Sequence, residues 1–279
     1  MKKIGFVDYY MSEWHANNYP AWIKRANEEM GLDYELTHCW AEIDTSPLDG
    51  VTTDAWCEKY GVTKCETLDE LCNTCDFIVV LSPKNPEKHL GYAEAVLKHG
   101  KRTYIDKTFA PDLETAKKIF EIGERYGTDF FSSSALRYAT ELQEIPGTEQ
   151  LMVLGSGSNF EEYFIHLAEM VVATLGGGFT KVKSEPCGSQ WIVSAKYPDQ
   201  RDAVMVYGQG IPYSAYMTAK DAKGYRAVKS EFFVGLIKDI LNFFETGKIS
   251  FDPKDTLEVM KLVELAIKAT KTPGEYLNA

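Results

Sequence analysis

The sequence has no dense run of lysine and arginine: 30 basic residues face 41 acidic ones among 279, a formal net charge of -11, with a pI near 5.0. A nucleic-acid backbone needs a basic stripe, so this balance argues against nucleic acid as a partner and serves solubility. Long uninterrupted apolar segments are also missing, and the opening stretch from Met1 to Asp8 is too short in apolar length for a signal peptide. That argues against a membrane partner and predicts a cytoplasmic protein. Six cysteines in a chain of this length do not make a disulfide framework, and a reducing cytosol keeps such thiols free. Internal repeats and low-complexity linkers are absent.

What is present is an ordinary globular composition, 44% apolar and 25% charged, in a chain longer than one usual core requires. Two domains are expected, 1–136 and 137–279. In the first, apolar β-branched runs alternate with helical patterns. Strands are expected at Lys3 to Val7, Tyr34 to Trp40, Phe77 to Leu81, Arg102 to Ile105 and Asp129 to Ser132. Helices are expected from Pro20 to Met30, Asp54 to Tyr60, Leu68 to Cys72, Tyr92 to His99 and Asp112 to Tyr126. That order predicts an α/β domain with a Rossmann-like, doubly wound parallel sheet. Beyond about Arg137 a helix from Phe160 to Leu175 precedes five β-rich runs with short links, from Thr180 to Ser230, and two closing helices. These predict an α+β domain with a mainly antiparallel sheet.

Within the first domain, the run Gly100 to Thr108 sets Lys107 just past the end of a buried strand, where doubly wound sheets bind their ligands. Glu162 and His166 are four apart on the first helix of the second domain and so share a face. A carboxylate beside an imidazole orients it, and a lysine beside a dry cleft is pushed toward neutrality, so the trio could move a proton on or off a sugar hydroxyl. Taken alone, Glu-x-x-x-His is as often a surface pair.

Around these positions the chain resembles the Gfo/Idh/MocA family, the glucose-fructose oxidoreductase and inositol dehydrogenase relatives. The matching residues are Pro83 and His89, Gly100-Lys101 closing a helix, Asp106-Lys107-Thr108 where the family has Glu-Lys-Pro, and Glu162 with His166 where it has Asp-x-x-x-His. The resemblance implies an NAD- or NADP-dependent oxidoreductase that passes a hydride between nicotinamide and a small sugar, polyol or related carbonyl compound. It also implies catalytic roles for Lys107, His166 and Glu162, a nucleotide site drawn from Asp8, Tyr10, Glu42, Ser82, Pro83, His89 and Asp106, and a homo-oligomer. No metal is assigned.

The first strand-to-helix turn departs from that pattern. A dinucleotide turn uses Gly-x-Gly-x-x-Gly so that backbone can approach the pyrophosphate above a helix N-terminus, whereas this chain reads Asp8-Tyr9-Tyr10-Met11-Ser12-Glu13. A carboxylate about 4 Å from a phosphate charge is repelled by roughly 4 kcal/mol at an effective dielectric near 20. Nor is there a clean ribose acid after the second strand, where Glu42 stands slightly late. Three readings of the turn stay open: an unusual loop course that still admits the cofactor, a cofactor-free sugar-binding or regulatory protein, or a new site in which Asp8, Tyr9, Tyr10, Glu13, Trp14, His15, Asn17 and Asn18 take a sugar or a cation, where Asp8, Glu13 and His15 could also ligate a metal. A fourth, purely structural, has the aromatic residues filling the space left by the glycines and the polar ones capping the helix. A lyase or hydrolase using the same acid/base residues is a further functional alternative. Cys72-Asn-Thr-Cys75, with Cys57 and Cys65 upstream, has irregular spacing for zinc and reads as buried core thiols.

Overall fold

The computed structural model describes residues 1–279. In chain order the first elements are β1 (Lys2–Asp8), α1 (Trp14–Met30), β2 (Tyr34–Ala41), α2 (Thr53–Tyr60), β3 (Thr63–Lys64), α3 (Leu68–Thr74) and β4 (Phe77–Val80). They are followed by α4 (His89–Leu97), β5 (Thr103–Ile105), α5 (Leu113–Tyr126) and β6 (Phe130–Phe131). Next come β7 (Gln150–Gly155), α6 (Phe160–Leu175), β8 (Lys181–Cys187), β9 (Gln190–Lys196), β10 (Asp202–Tyr207), β11 (Ser214–Thr218) and β12 (Lys223–Ala227). The chain closes with α7 (Phe232–Thr246), α8 (Asp255–Ala269) and β13 (Leu277–Asn278). No helix is long and apolar enough to cross a membrane.

Two compact units form: residues 1–133 with 233–253, and residues 134–232 with 254–279. This differs from a single cut after residue 136, because most of α7 packs in the first unit. Its Phe244 stacks on Phe77 with ring centroids 4.7 Å apart, and Phe243 meets Phe131 edge-on at 5.2 Å. Arg102 Nη1 donates to the Phe244 carbonyl at 2.6 Å. An amphipathic helix declares its apolar face in the sequence but not the sheet that receives it.

The first unit is a parallel six-stranded sheet in the order β3-β2-β1-β4-β5-β6. The strand order reverses between β1 and β4, and the crevice outside their carboxyl ends is where such sheets bind ligands. The helices are built by local rules. In α5, Asp112 caps the start by accepting the Thr115 N–H at 2.7 Å, Gly127 ends it in the left-handed region at φ 61, and Ala116, Ile119, Ile122 and Gly123 form the buried face. At Gly123 a Cβ would lie 2.5 Å from the Phe130 ring, so only glycine lets α5 approach β6 this closely. Helix α1 starts six residues before Pro20, which it carries inside, because Glu13 supplies a cap there. Cys39, Cys57, Cys65, Cys72 and Cys75 are buried free thiols. Burial pushes Cys72 up to about 12 and Cys75 up to about 11, and no cluster of His, Cys, Asp or Glu could hold a metal ion.

The second unit is a seven-stranded sheet in the order β12-β11-β7-β10-β9-β8-β13. All its neighbours pair antiparallel except β7 and β10, which run parallel. Strand alternation sends Val182, Val193, Ala203, Met205, Val153 and Met217 into the core, while Met152, Tyr216 and Tyr225 are exposed. The Ser184 hydroxyl ties β8 to α8 by donating to the Ala266 carbonyl at 2.8 Å. The pattern from Thr180 onward anticipated this sheet. Its interior strand β7 was not among the expected strands.

Candidate functional site

In the first unit the chain leaves β1 without the tight turn of a glycine-rich loop. It runs on beside β2, with the Glu42 N–H donating to the Asp8 carbonyl at 3.1 Å and the Ile43 N–H to the Tyr9 carbonyl at 2.9 Å. Tyr10 and Met11 are buried, and the Ser12 hydroxyl donates to Asp49 at 2.7 Å. Glu13 then caps α1: its carboxylate accepts the His15 N–H at 2.8 Å and the Ala16 N–H. Glu13 is only 4% exposed. In a dinucleotide fold the pyrophosphate sits at these first amides of the helix. Here an internal carboxylate holds them, so the residues present do not fit a pyrophosphate cradled at this turn.

The charge at the turn is a smaller obstacle than the sequence suggested. Asp8 is 1% exposed, and burial, reinforced by the carboxylates of Glu13 and Asp106, pushes its pKa well above the usual range. Its Oδ1 accepts the Tyr9 N–H at 2.7 Å, while Oδ2 is buried without a hydrogen-bond partner. Burial also raises Glu13, with His15 and the two helix amides opposing the rise.

The end of β5 is wired to the same helix. Asp106 is buried, and burial alone would raise its pKa; the His15 imidazole bonded to it and the neighbouring Lys107 outweigh this and hold it below the ordinary carboxylate value. Its Oδ1 accepts the Lys107 N–H at 2.8 Å and the Tyr104 hydroxyl at 3.1 Å. Lys107 is 8% exposed, and the Lys107–Thr108 peptide is cis. Thus Asp8, Glu13, His15, Asp106 and Lys107 form one buried titratable group at the carboxyl ends of β1 and β5. Glu13 and His15 are not among the expected catalytic or nucleotide-binding residues, although Glu13 belongs to the unusual turn.

The other expected nucleotide residues have internal duties. Glu42 pairs with Lys88 and accepts the Tyr92 hydroxyl at 2.7 Å. Burial would raise it, but those two partners hold it below its ordinary value. His89 is fully buried, with its ring nitrogens against the carbonyls of Leu81 at 2.6 Å and Phe109 at 3.0 Å. It clamps the end of β4 to the segment after Lys107 instead of facing a ligand. Burial pushes its pKa down against the pull of the two carbonyls. Ser82 adopts a left-handed backbone at φ 70, a conformation in which a residue other than glycine stores strain, and Pro83 beside it is buried.

In the second unit, Asn159 caps α6 by accepting the Glu162 N–H at 2.8 Å, and its amide donates to Glu162 Oε2 at 2.9 Å. The Glu162 carboxylate is therefore engaged in the cap and not in orienting His166. That task falls to Ser134, whose Oγ lies 2.7 Å from His166 Nδ1. Ser134 is anchored in turn, since its N–H donates to Glu169 Oε2 at 3.0 Å and Glu169 forms a buried ion pair with Arg137. Nothing local in the sequence marks Ser134, which stands 32 residues before His166.

A doubly wound sheet with a lysine closing β5, followed by a mixed sheet carrying a histidine on its first helix, defines a Rossmann-type two-unit protein. Residues 26–133 match the model described as an oxidoreductase family with an NAD-binding Rossmann fold, the Gfo/Idh/MocA model, and so are similar to the family the sequence resembles. The match begins beyond Glu13, so it leaves the turn after β1 outside. None of the curated proteins matches the chain. Among solved structures it is similar in fold to one described as a probable dehydrogenase from Thermotoga maritima, with TM-score 0.82, 12% identity, and 99% of this chain and 98% of that one covered. A myo-inositol dehydrogenase from Corynebacterium glutamicum gives 0.79 at 14% identity, covering 99% and 98%. GenD2 from gentamicin A biosynthesis, solved in complex with NAD, gives 0.77 at 12%, covering 100% and 97%.

Proposed function

We propose that the protein is an oxidoreductase acting on a hydroxyl-bearing or carbonyl carbon of a sugar, polyol or related small molecule. The observation that carries this reading is Lys107, placed at the carboxyl end of β5 inside the segment that matches the oxidoreductase family. There its main chain is fixed by Asp106. In this reading the lysine Nζ exchanges the proton of the reacting oxygen, and burial beside Asp106 and His15 excludes water from it. On the resemblance, His166 in the second unit is read as a substrate-facing group, and Glu162 acts only through the start of α6.

NAD or NADP is the hydride partner the family fold implies. The α1 amides are held by Glu13, so no residue of the first turn is given a part in binding it. That same observation favours a second reading, a protein that binds a sugar or polyol without nucleotide. Titration of NAD, NADH, NADP and NADPH against tryptophan fluorescence separates the two, and no response to any of the four overturns the oxidoreductase reading. If a nucleotide binds, Lys107→Ala should abolish substrate turnover while leaving nucleotide affinity within about threefold, a difference of less than 1 kcal/mol. Retained turnover would remove the lysine from its role.

A further inference from the structure

We propose that Ser134 fixes the neutral imidazole of His166 as its Nε2–H tautomer, so that His166 presents a hydrogen-bond donor, not a base, to a substrate oxygen. The inference rests on the reading of His166 as a substrate-facing group, but its physical basis lies within the second unit. Ser134 is fully buried. Its oxygen already accepts the Leu136 N–H at 3.3 Å, as the cap of the short turn Ala135–Tyr138. Its main-chain N–H is tied to Glu169, which Arg137 holds in place.

A serine hydroxyl has one proton to give. The acceptor within reach is His166 Nδ1 at 2.7 Å, so the O–H points there and Nδ1 receives it. A neutral imidazole whose Nδ1 accepts must carry its own proton on Nε2. Placing the proton on Nδ1 instead would make the serine oxygen accept both N–H groups and leave its own buried proton without an acceptor, an arrangement buried polar groups avoid. Glu162 is engaged by Asn159 and Glu169 by Arg137 and the Ser134 N–H, so both carboxylates have other duties.

Ser134 is therefore a positioning residue, and it divides the labour of the site. His166 steadies a substrate oxygen by donating from Nε2, and the task of taking up a proton from a substrate hydroxyl falls to another group.

The test is the 15N spectrum of the full-length protein labelled at histidine and recorded above the imidazole titration, with the His166 signals identified by their loss in His166→Gln. The wild type should show a pyridine-type Nδ1 and a pyrrole-type Nε2. Ser134→Ala should lower the preference for that tautomer by about fivefold, the worth of one ordinary hydrogen bond, and Ser134→Thr should restore it. Should Ser134→Ala fail to fold, the wild-type and threonine spectra still decide. A pyrrole-type Nδ1 in the wild type, or an unchanged ratio in folded Ser134→Ala, overturns the proposal. Because the spectrum needs neither substrate nor nucleotide, an absence of dehydrogenase activity would count against the functional reading alone and not against the tautomer.

Discussion

Replacing Asp8 with asparagine should stabilise the first unit increasingly as pH rises. The wild-type carboxyl is surrounded by protein, next to Glu13 and Asp106, and its pKa lies well above the ordinary aspartate value of 3.8. Between that ordinary value and its raised folded value, the native state holds a proton that the unfolded chain has released. Stability then falls with rising pH at about 1.4 kcal/mol per unit. The sign follows from the direction of the shift: the cost is absent below the ordinary aspartate range, grows through the window and is complete above the folded value. Asparagine has the same shape, keeps an oxygen to accept the Tyr9 N–H and does not titrate. The stability difference between variant and wild type should therefore climb by about 1.4 kcal/mol per pH unit above the ordinary range and then level off. Asp106 and Glu42, whose values are lowered, act in the opposite direction in both proteins and drop out of the comparison. Urea unfolding at pH 5, 6, 7 and 8 provides the assay. Tryptophan emission is a suitable signal because Trp14, Trp22, Trp40 and Trp56 lie in the first unit and only Trp191 in the second. A difference that stays constant across these pH values would refute the claim that folding holds Asp8 protonated.

Two other perturbations probe neighbouring parts of the argument. Glu13→Ala frees the N–H groups of His15 and Ala16 and should tighten NADH binding at least about tenfold, or 1.4 kcal/mol, less than a single charge-assisted hydrogen bond can supply; equal or weaker binding in a fluorescence titration would show that Glu13 does not compete with a nucleotide. Arg137→Met leaves the buried Glu169 carboxylate without its partner and should cost the second unit about 3–5 kcal/mol, read as a lowered urea midpoint at Trp191, with recovery when Glu169 is replaced by Met as well.

The sequence revealed those parts of the molecule whose causes are local. Alternating strand and helix patterns to residue 132 disclosed the parallel sheet, and Gly100 with the following apolar run placed Lys107 at a strand end. That polar residues of the turn cap the helix was one of the readings the sequence offered, and Glu13 does so; cap preferences for Ser, Thr, Asp and Asn could not single out that residue as the cap. Strand β7 was missed because its partners β10 and β11 are some 50 to 70 residues away and it follows a stretch of turns. Glu162 and His166 were rightly placed on one helix. Spacing alone could not reveal that Asn159 captures the carboxylate or that Ser134 serves the imidazole.

The placement of α7 bears on the order in which the protein can be completed during synthesis. The first unit includes residues 233–253, so a ribosome must finish nearly the whole second sheet before the helix that covers Phe77 and Tyr34 emerges. Until then the nascent Rossmann sheet presents an aromatic face to solvent, and Arg102 waits for the carbonyl of Phe244. A chain released early would keep every residue of the β5 tip yet lack the helix that seals the sheet beneath it, so quality control in the cell is expected to meet this protein late, at the arrival of residues 233–253.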